Sequence, residues 1–181
     1  DMTRYELFLR ETRTYEIIED VKNFRSEIGV LFLNSYNRDV LTKMFDDNRL
    51  TYTSLFKARP HIFVSKSNPL AKHEVVSLED LEDFPYLSYD QGIHNSFYYS
   101  EEILSQIPHK KSIVVSDRAT LFNLLIGLDG YTIATGILNS NLNGDNIVSI
   151  PLDIDDEIDI VYLKHEKATL SKMGEKFLDN L

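Results

Sequence analysis

Arg59-Pro-His-Ile-Phe-Val-Ser-Lys-Ser-Asn-Pro-Leu-Ala-Lys-His-Glu-Val-Val-Ser-Leu-Glu-Asp-Leu-Glu-Asp-Phe-Pro-Tyr-Leu87 is the stretch on which the fold turns. Pro60 breaks the alternating run before it, because proline restricts its predecessor and donates no backbone hydrogen bond. His61 to Ser65 then reads as a short strand, and Lys66-Ser-Asn-Pro-Leu70 as a turn-rich lobe crossing. Ser77-Leu-Glu-Asp-Leu-Glu-Asp83 starts a short helix. Ser77 serves as its N-cap and Asp80 lies three residues on, so hydroxyl and carboxylates meet the free amides of the positive helix end. Pro85 stops that helix, Tyr86 to Tyr89 returns as strand, and Asp90-Gln-Gly92 is a turn.

Upstream, Tyr5-Glu-Leu-Phe-Leu9 alternates like a strand, and Tyr15 to Arg25 carries apolar residues at 17, 18, 21 and 24, one helical face. Ile28 to Leu33 is a nearly continuous apolar run, short enough to be a buried parallel strand. Asn37 to Asp47 reads as a helix with Val40, Leu41, Met44 and Phe45 inward, and Leu50 to Phe56 as strand. Downstream, Asn95 to Gln106 is expected as a helix, Ser112 to Val115 as strand, and Thr120 to Leu128 as an apolar helix closed by Asp129-Gly130. Tyr131 to Ala134 is strand, Asn139 to Asn146 a polar loop holding Asn141, Asn143 and Gly144, and Ile147 to Ile150 a further strand. Glu157 to Lys164 forms the last strand, and Leu170 to Leu181 a terminal helix with Met173, Phe177 and Leu181 at spacing four.

This alternation predicts an α/β fold class of open, mostly parallel sheets with helices on both faces, gathered into two Rossmann-like lobes. Lobe I comprises residues 1–58 plus 166–181 and lobe II residues 59–165, with crossover strands near 59–65 and 157–165. Ligands in such folds sit outside the carboxyl ends of strands and at helix N-termini, so a cleft between the lobes is the expected site.

Bulk properties narrow the function. A chain of 181 residues can bury roughly 70% of its unfolded surface. Its 43% hydrophobic content is too apolar for disorder. With 19 basic against 29 acidic residues the net charge is −10, a field that repels phosphate backbones. Zero cysteines exclude disulfides, zinc–thiolate sites and thiol catalysis, and fit a cytoplasmic location. No apolar run approaches the roughly 18 residues that span a bilayer, and Asp1 to Arg10 is no signal peptide, so no membrane partner is expected.

Pro69-Leu70-Ala71, Val76-Ser77-Leu78-Glu79-Asp80-Leu81 and Phe84-Pro85 match in order and spacing a pattern of strand, "HPLA", valine, "SLEDL", "FP" and strand. The sequence thereby resembles the effector-binding, or substrate-binding, domain of LysR-type transcription regulators. Asn68 stands where that family most often has His. Glu27-Ile-Gly-Val-Leu-Phe32 is similar to the family's "lDlai" strand. Val115 to Ile133 is similar to its strand, helix and "GlGIa" return, with Asp129-Gly130-Tyr131-Thr132-Ile133 in place of the two-glycine form and Thr135-Gly136 in place of "LP".

The resemblance implies a fold like type II periplasmic binding proteins, a small-molecule effector, a homodimer or homotetramer, and no catalysis or cofactor. It also implies that DNA is touched only by an upstream helix-turn-helix domain. That domain, its linker helix, and the first strand and helix of lobe I have no counterpart here. Ser116-Asp-Arg-Ala-Thr-Leu-Phe-Asn-Leu-Leu-Ile-Gly-Leu128 resembles regulators of sulfur amino-acid metabolism in Gram-positive bacteria, which implies an effector such as O-acetylserine.

The candidate ligand-binding residues follow from strand ends. Asn34 and Ser35 follow the strand ending at Leu33; Tyr89, Asp90 and Gln91 hold the equivalent place in lobe II, with His94, Asn95 and Ser96 after them. Ser116, Asp117, Arg118 and Thr120 open the apolar helix, where exposed amides beside a guanidinium suit a carboxylate. Ser116 and Asp117 serve equally as N-caps. Thr135 ends a strand, whereas Thr132 is expected to pack. The histidines at 61, 73, 94, 109 and 165 show no two-ligand spacing, and the acidic run Asp153 to Asp159 lacks the glycine and order of a calcium loop, so no metal is expected. Two rivals stay open: a transporter's solute-binding protein on the same architecture, and a small enzyme with Asp117 or His94 as acid or base.

Overall fold

Ile18 and Val21 fall on one face of the first helix, α1 (Thr14–Lys22), and both are buried there. That face packs on β1 (Gly29–Leu33), whose first residue must be glycine: a Cβ on Gly29 would lie 2.5 Å from Ile17 Cγ2 and 3.0 Å from Val21 Cγ2. Next come α2 (Arg38–Asp47), β2 (Leu50–Ala58) and β3 (His61–Ser65). Of the four residues expected inward on α2, Leu41 and Phe45 are buried, whereas Val40 is 38% exposed.

The computed structural model describes residues 4–94, 96–138 and 144–181. Single 3₁₀ turns at Pro69–Lys72 and Glu79–Leu81 lead to β4 (Tyr86–Tyr89) and a further turn at Phe97–Tyr99. The chain continues through β5 (Ser112–Val115), α3 (Arg118–Gly127), β6 (Tyr131–Ala134), β7 (Ile147–Pro151), β8 (Ile158–His165) and α4 (Lys172–Leu178). Two compact units divide it, Asp1–Phe56 with Asp159–Leu181, and Lys57–Ile158.

The first unit holds a sheet of order β1-β8-β2, and β1 pairs antiparallel with β8. The second holds the order β5-β4-β6-β3-β7, in which β4 runs parallel to both β5 and β6 while β3 runs antiparallel to β6 and β7. The expectation of mostly parallel sheets is thus corrected. A parallel neighbour needs a long crossover, which residues 90–111 supply between β4 and β5 and α3 between β5 and β6; the antiparallel pairs β1–β8, β3–β6 and β3–β7 instead join strands far apart in the chain.

Two further expectations change. Tyr5 to Leu9 forms no strand: it lies outside both sheets, with Phe8 and Leu9 each 79% exposed, and Arg10 Nη1 ties its far end to the buried Asp20 at 2.7 Å. Asn95 to Gln106 forms no α-helix. Only Phe97–Tyr99 makes a 3₁₀ turn, and Leu104 takes φ +61°, a left-handed conformation that stops a helix. Asn95 itself lies outside the described residues, as do Asn141 and Asn143 of the expected polar loop.

The opening stretch is built as its residues dictate. Ser77 N–H and Oγ donate to Asp80 Oδ2 at 2.9 and 2.8 Å, while Asp80 N–H approaches Ser77 Oγ at 3.3 Å, a reciprocal pair around one 3₁₀ turn whose N-cap position is Leu78 and not the expected Ser77. Asn68 is 1% exposed; its Oδ1 accepts from Leu70 N–H and its Nδ2 donates to the carbonyl of Asp129, both at 2.8 Å. The side chain thus fastens the turn after β3 to the residue that follows α3, where φ is +50°. Asn68→Ala leaves those buried groups unpaired and is expected to cost about 1–3 kcal/mol. A denaturant midpoint unchanged from the parent would contradict that role.

Candidate ligand-binding site

Parallel pairing gathers three strand ends in the second unit. Tyr89 of β4 is in register with Val115 of β5, and the Asp90 amide donates to the Val115 carbonyl at 2.8 Å, so the two strands end side by side. β6 runs the same way on the other flank of β4, which brings Ala134 and Thr135 to the same edge. Leu87 of β4 is buried with Phe63, Val115, Leu121, Leu125 and Ile147, so α3 is packed onto this sheet and its N-terminus follows directly from β5.

Of the expected residues at that edge, Tyr89, Asp90 and Gln91 are brought together along one cavity of about 400 Å³. Tyr89 N–H donates to Glu102 Oε1 at 2.6 Å, Asp90 Oδ1 accepts from the Gly92 amide at 2.9 Å, and Gln91 is nearly buried. Ser96 is exposed and stands at the start of the next 3₁₀ turn, its side chain making no cap bond. Thr135 is half-buried, and Ile137 N–H reaches its Oγ1 at 3.5 Å. Thr132, expected to pack, is buried.

At the start of α3, Asp117 is the N-cap. Its Oδ1 accepts from Thr120 N–H at 2.9 Å and its Oδ2 from Thr120 Oγ1 at 2.7 Å. The amide of Thr120 holds the Asp117 carboxyl below the usual carboxylate range. That amide and the Thr120 hydroxyl are therefore committed within the protein, and the first residue of the helix is Arg118. It is exposed, with its guanidinium carbon 5.0 Å above the Phe122 ring.

In the first unit, Asn34 is buried just beyond β1. Its Oδ1 accepts from the amides of Tyr36 and Asn37 at 3.1 and 3.0 Å, and its own amide donates to Asn37 Oδ1 at 2.8 Å. This reciprocal pair builds the turn into α2. Ser35 is exposed beside it. Close by, buried Asp159 receives Arg38 Nη2 at 3.1 Å and the Ser54 hydroxyl at 2.5 Å. A second cavity, of about 370 Å³, lies among Leu7, Phe8, Ile17, Gly29, Met173 and Phe177 and is lined by none of the expected site residues.

No residue pattern singled out Glu102, which is 4% exposed and lines the 400 Å³ cavity. Its signal was hidden because a helix was expected there, on which a glutamate reads as solvent-facing. Burial pushes its carboxyl up to about 8. Burial also holds the His109 imidazole below its usual range and raises Tyr86 well above the ordinary phenol value and Tyr131 to about 12. Among the described residues no group of three or more His, Asp or Glu side chains is placed to hold a metal ion, and no helix is long and apolar enough to cross a membrane.

Over residues 4–181 the sequence matches the family described as LysR substrate binding domain. The chain belongs to that family. Among curated proteins none matches it. The domain is similar in fold to a LysR family regulator from Pseudomonas aeruginosa, PA01, at 16% identity and TM-score 0.62, covering 94% of this chain and 57% of that one. It is also similar to the effector-binding domain of QuiR in complex with shikimate, at 19% identity and TM-score 0.63, covering 93% and 76%. The BenM effector-binding domain with its effector benzoate is a third, at 20% identity and TM-score 0.60, covering 90% and 71%. The domain thus spans 57% of the length of the first two regulators it resembles. Its mixed α/β architecture with two sheets is the type II periplasmic-binding-protein-like fold of the family.

Glu102 makes the stability of this LysR domain depend on pH. Its carboxyl holds a proton in the folded state that the unfolded chain has released, across the window from 4.5 to about 8. Folding stability is therefore full below that window, falls through it by up to a few kcal/mol and is level above it. Glu102→Gln is expected to flatten this slope and to raise Tm at pH 8. Thermal melts from pH 5 to 9 check this, and an unaltered slope in the variant rules Glu102 out as its source.

Proposed function

We propose that this domain is the effector sensor of a LysR-type transcription regulator, binding a small carboxylate and catalysing nothing. The observation that carries this reading is the family match over residues 4–181. Shikimate and benzoate, the small molecules in two of the similar structures, both carry one carboxylate. The amino-acid class represented by O-acetylserine shares that group and is the effector we favour, through the resemblance of residues 116–128 to sulfur amino-acid regulators.

Arg118 supplies the cation for the carboxylate. Tyr89, Asp90, Gln91 and Thr135 lie at the same sheet edge, with Ser96 following, and Thr120 fixes the capping carboxylate next to Arg118. Asn34 and Ser35 contribute from the end of β1 in the lobe comprising residues 1–58 and 166–181. Residues 59–165 form the other lobe, with strands near 59–65 and 157–165 as the crossovers. Effector binding shifts the placement of the lobes by no more than its differential affinity for the two placements. In a cytoplasmic homodimer or homotetramer, that bias reaches an upstream helix-turn-helix domain, which alone meets DNA. The net charge of −10 suits a domain that stays off the phosphate backbone.

Calorimetric titration with O-acetylserine, shikimate and benzoate is expected to give saturable binding of at least one, with no product formed on prolonged incubation. Arg118→Ala is expected to weaken that binding about tenfold, equivalent to about 1.4 kcal/mol, without lowering Tm. Equal affinity in the variant rejects the Arg118 assignment, and turnover of any of the three compounds rejects the sensor reading.

A further inference from the structure

Along β4 the side chains alternate. Leu87 faces α3, while Tyr86 and Ser88 face the other way, in register with Ser112 and Val114 of β5. On that second face lies the cavity of about 400 Å³, roofed by Phe97, Ser100, Glu102, Ser105, Ile107 and His109 of the irregular segment that replaces the expected helix.

Three polar atoms along this cavity find no partner within the protein. Among the described residues, four buried side-chain atoms have no hydrogen-bond partner, and three of them belong to residues lining it: Tyr86 Oη, Gln91 Oε1 and His109 Nε2. Tyr86 is 3% and Gln91 9% exposed. An orphaned buried polar atom is costly, so three along one cavity point to a missing partner rather than to packing.

The character of the lining says what that partner is. None of the described lining side chains is Lys or Arg, whereas Glu102 and Asp90 are both present. Gln91 Oε1 is an acceptor only, and Tyr86 Oη accepts through its lone pairs. Tyr86 and His109 stack with ring centroids 3.8 Å apart, and His109 Nδ1 is engaged with Tyr131 Oη at 2.9 Å. Aromatic walls, a buried carboxyl and unpaired acceptors, without a cation, form a receptor for a donor-rich positive group.

We propose that this cavity binds a small primary ammonium ion, with Glu102 as its charge partner and Gln91 Oε1 and Tyr86 Oη as hydrogen-bond acceptors. The inference goes beyond the carboxylate contact assigned to Arg118 and does not depend on it. Burial, with the Glu101 charge beside it, makes the Glu102 carboxylate costly, and a bound ammonium offsets that cost. The neutral imidazole of His109 adds no competing charge, and Asp90 and the neighbouring Glu101 deepen the negative field.

Ethylammonium chloride, with sodium acetate and ethanol as matched probes, tests this by NMR titration of the 181-residue chain at pH 8 and fixed ionic strength. Saturable ethylammonium binding is expected, at least tenfold tighter than either control. Glu102→Gln, which keeps the side-chain shape, is expected to weaken it at least tenfold. Tyr86→Phe, which keeps the ring against His109, is expected to weaken it severalfold. Absence of saturable ethylammonium binding overturns the proposal, as does equal binding of acetate or ethanol, or undiminished affinity in either variant. Ethylammonium carries no carboxylate, so its failure to bind leaves the effector reading and its Arg118 test standing.

Discussion

Strand β4 is hydrogen-bonded by parallel neighbours on both flanks, and the second unit is organised around that constraint. Parallel pairing aligns the ends of β5, β4 and β6 at one edge, and Leu87, with no exposed surface, holds α3 against the same strands. The approach is tight. Gly130, which leads into β6, has Leu87 Cδ1 only 2.4 Å from where a Cβ would stand and the Pro85 carbonyl at 3.0 Å. Any larger residue there separates β6 from β4 and scatters the strand ends.

The other face of β4 is governed by different physics. A helix packed over Tyr86 and Ser88 would bring apolar side chains to cover them. The segment from residue 96 to 109 instead turns irregularly, and its Glu102 points inward to accept the Tyr89 amide. That bond satisfies the backbone at the end of a strand, but it draws a carboxyl into a region where charge is poorly solvated. Loss of helical regularity, a cavity, a raised carboxyl and orphaned acceptors are one structural event seen from four sides.

The first unit shows how local polar residues determine a strand end. Asn34 and Asn37 cap one another, and Asp159 on β8 gathers Arg38 and Ser54 from α2 and β2. Such networks are favourable when fully paired, because a buried carboxylate without partners is costly. Asn34, expected from sequence order at a ligand, has its Oδ1 engaged in building this turn.

Much of the architecture was legible in the residues alone. Pro60, the reciprocal pair Ser77 and Asp80, Pro85 and the apolar runs act over a few positions, and their outcome is set by local sterics and hydrogen bonding. Order and approximate bounds of β1 to β8 and of α1 to α4 follow from such signals, as does Asp117 as a helix cap. Strand direction did not, because periodicity fixes which side chains face inward and carries no information on which neighbour a strand finds. Tyr5 to Leu9 reads as a strand and pairs with nothing in either sheet; Glu102 reads as a surface residue and is buried. The sequence by itself determined the elements, their caps and the family pattern, since these depend on near neighbours in the chain. Only the tertiary structure decided strand pairing, the fate of the 96–109 segment and the polar cavity beneath it, since these depend on groups dozens of residues apart meeting away from water.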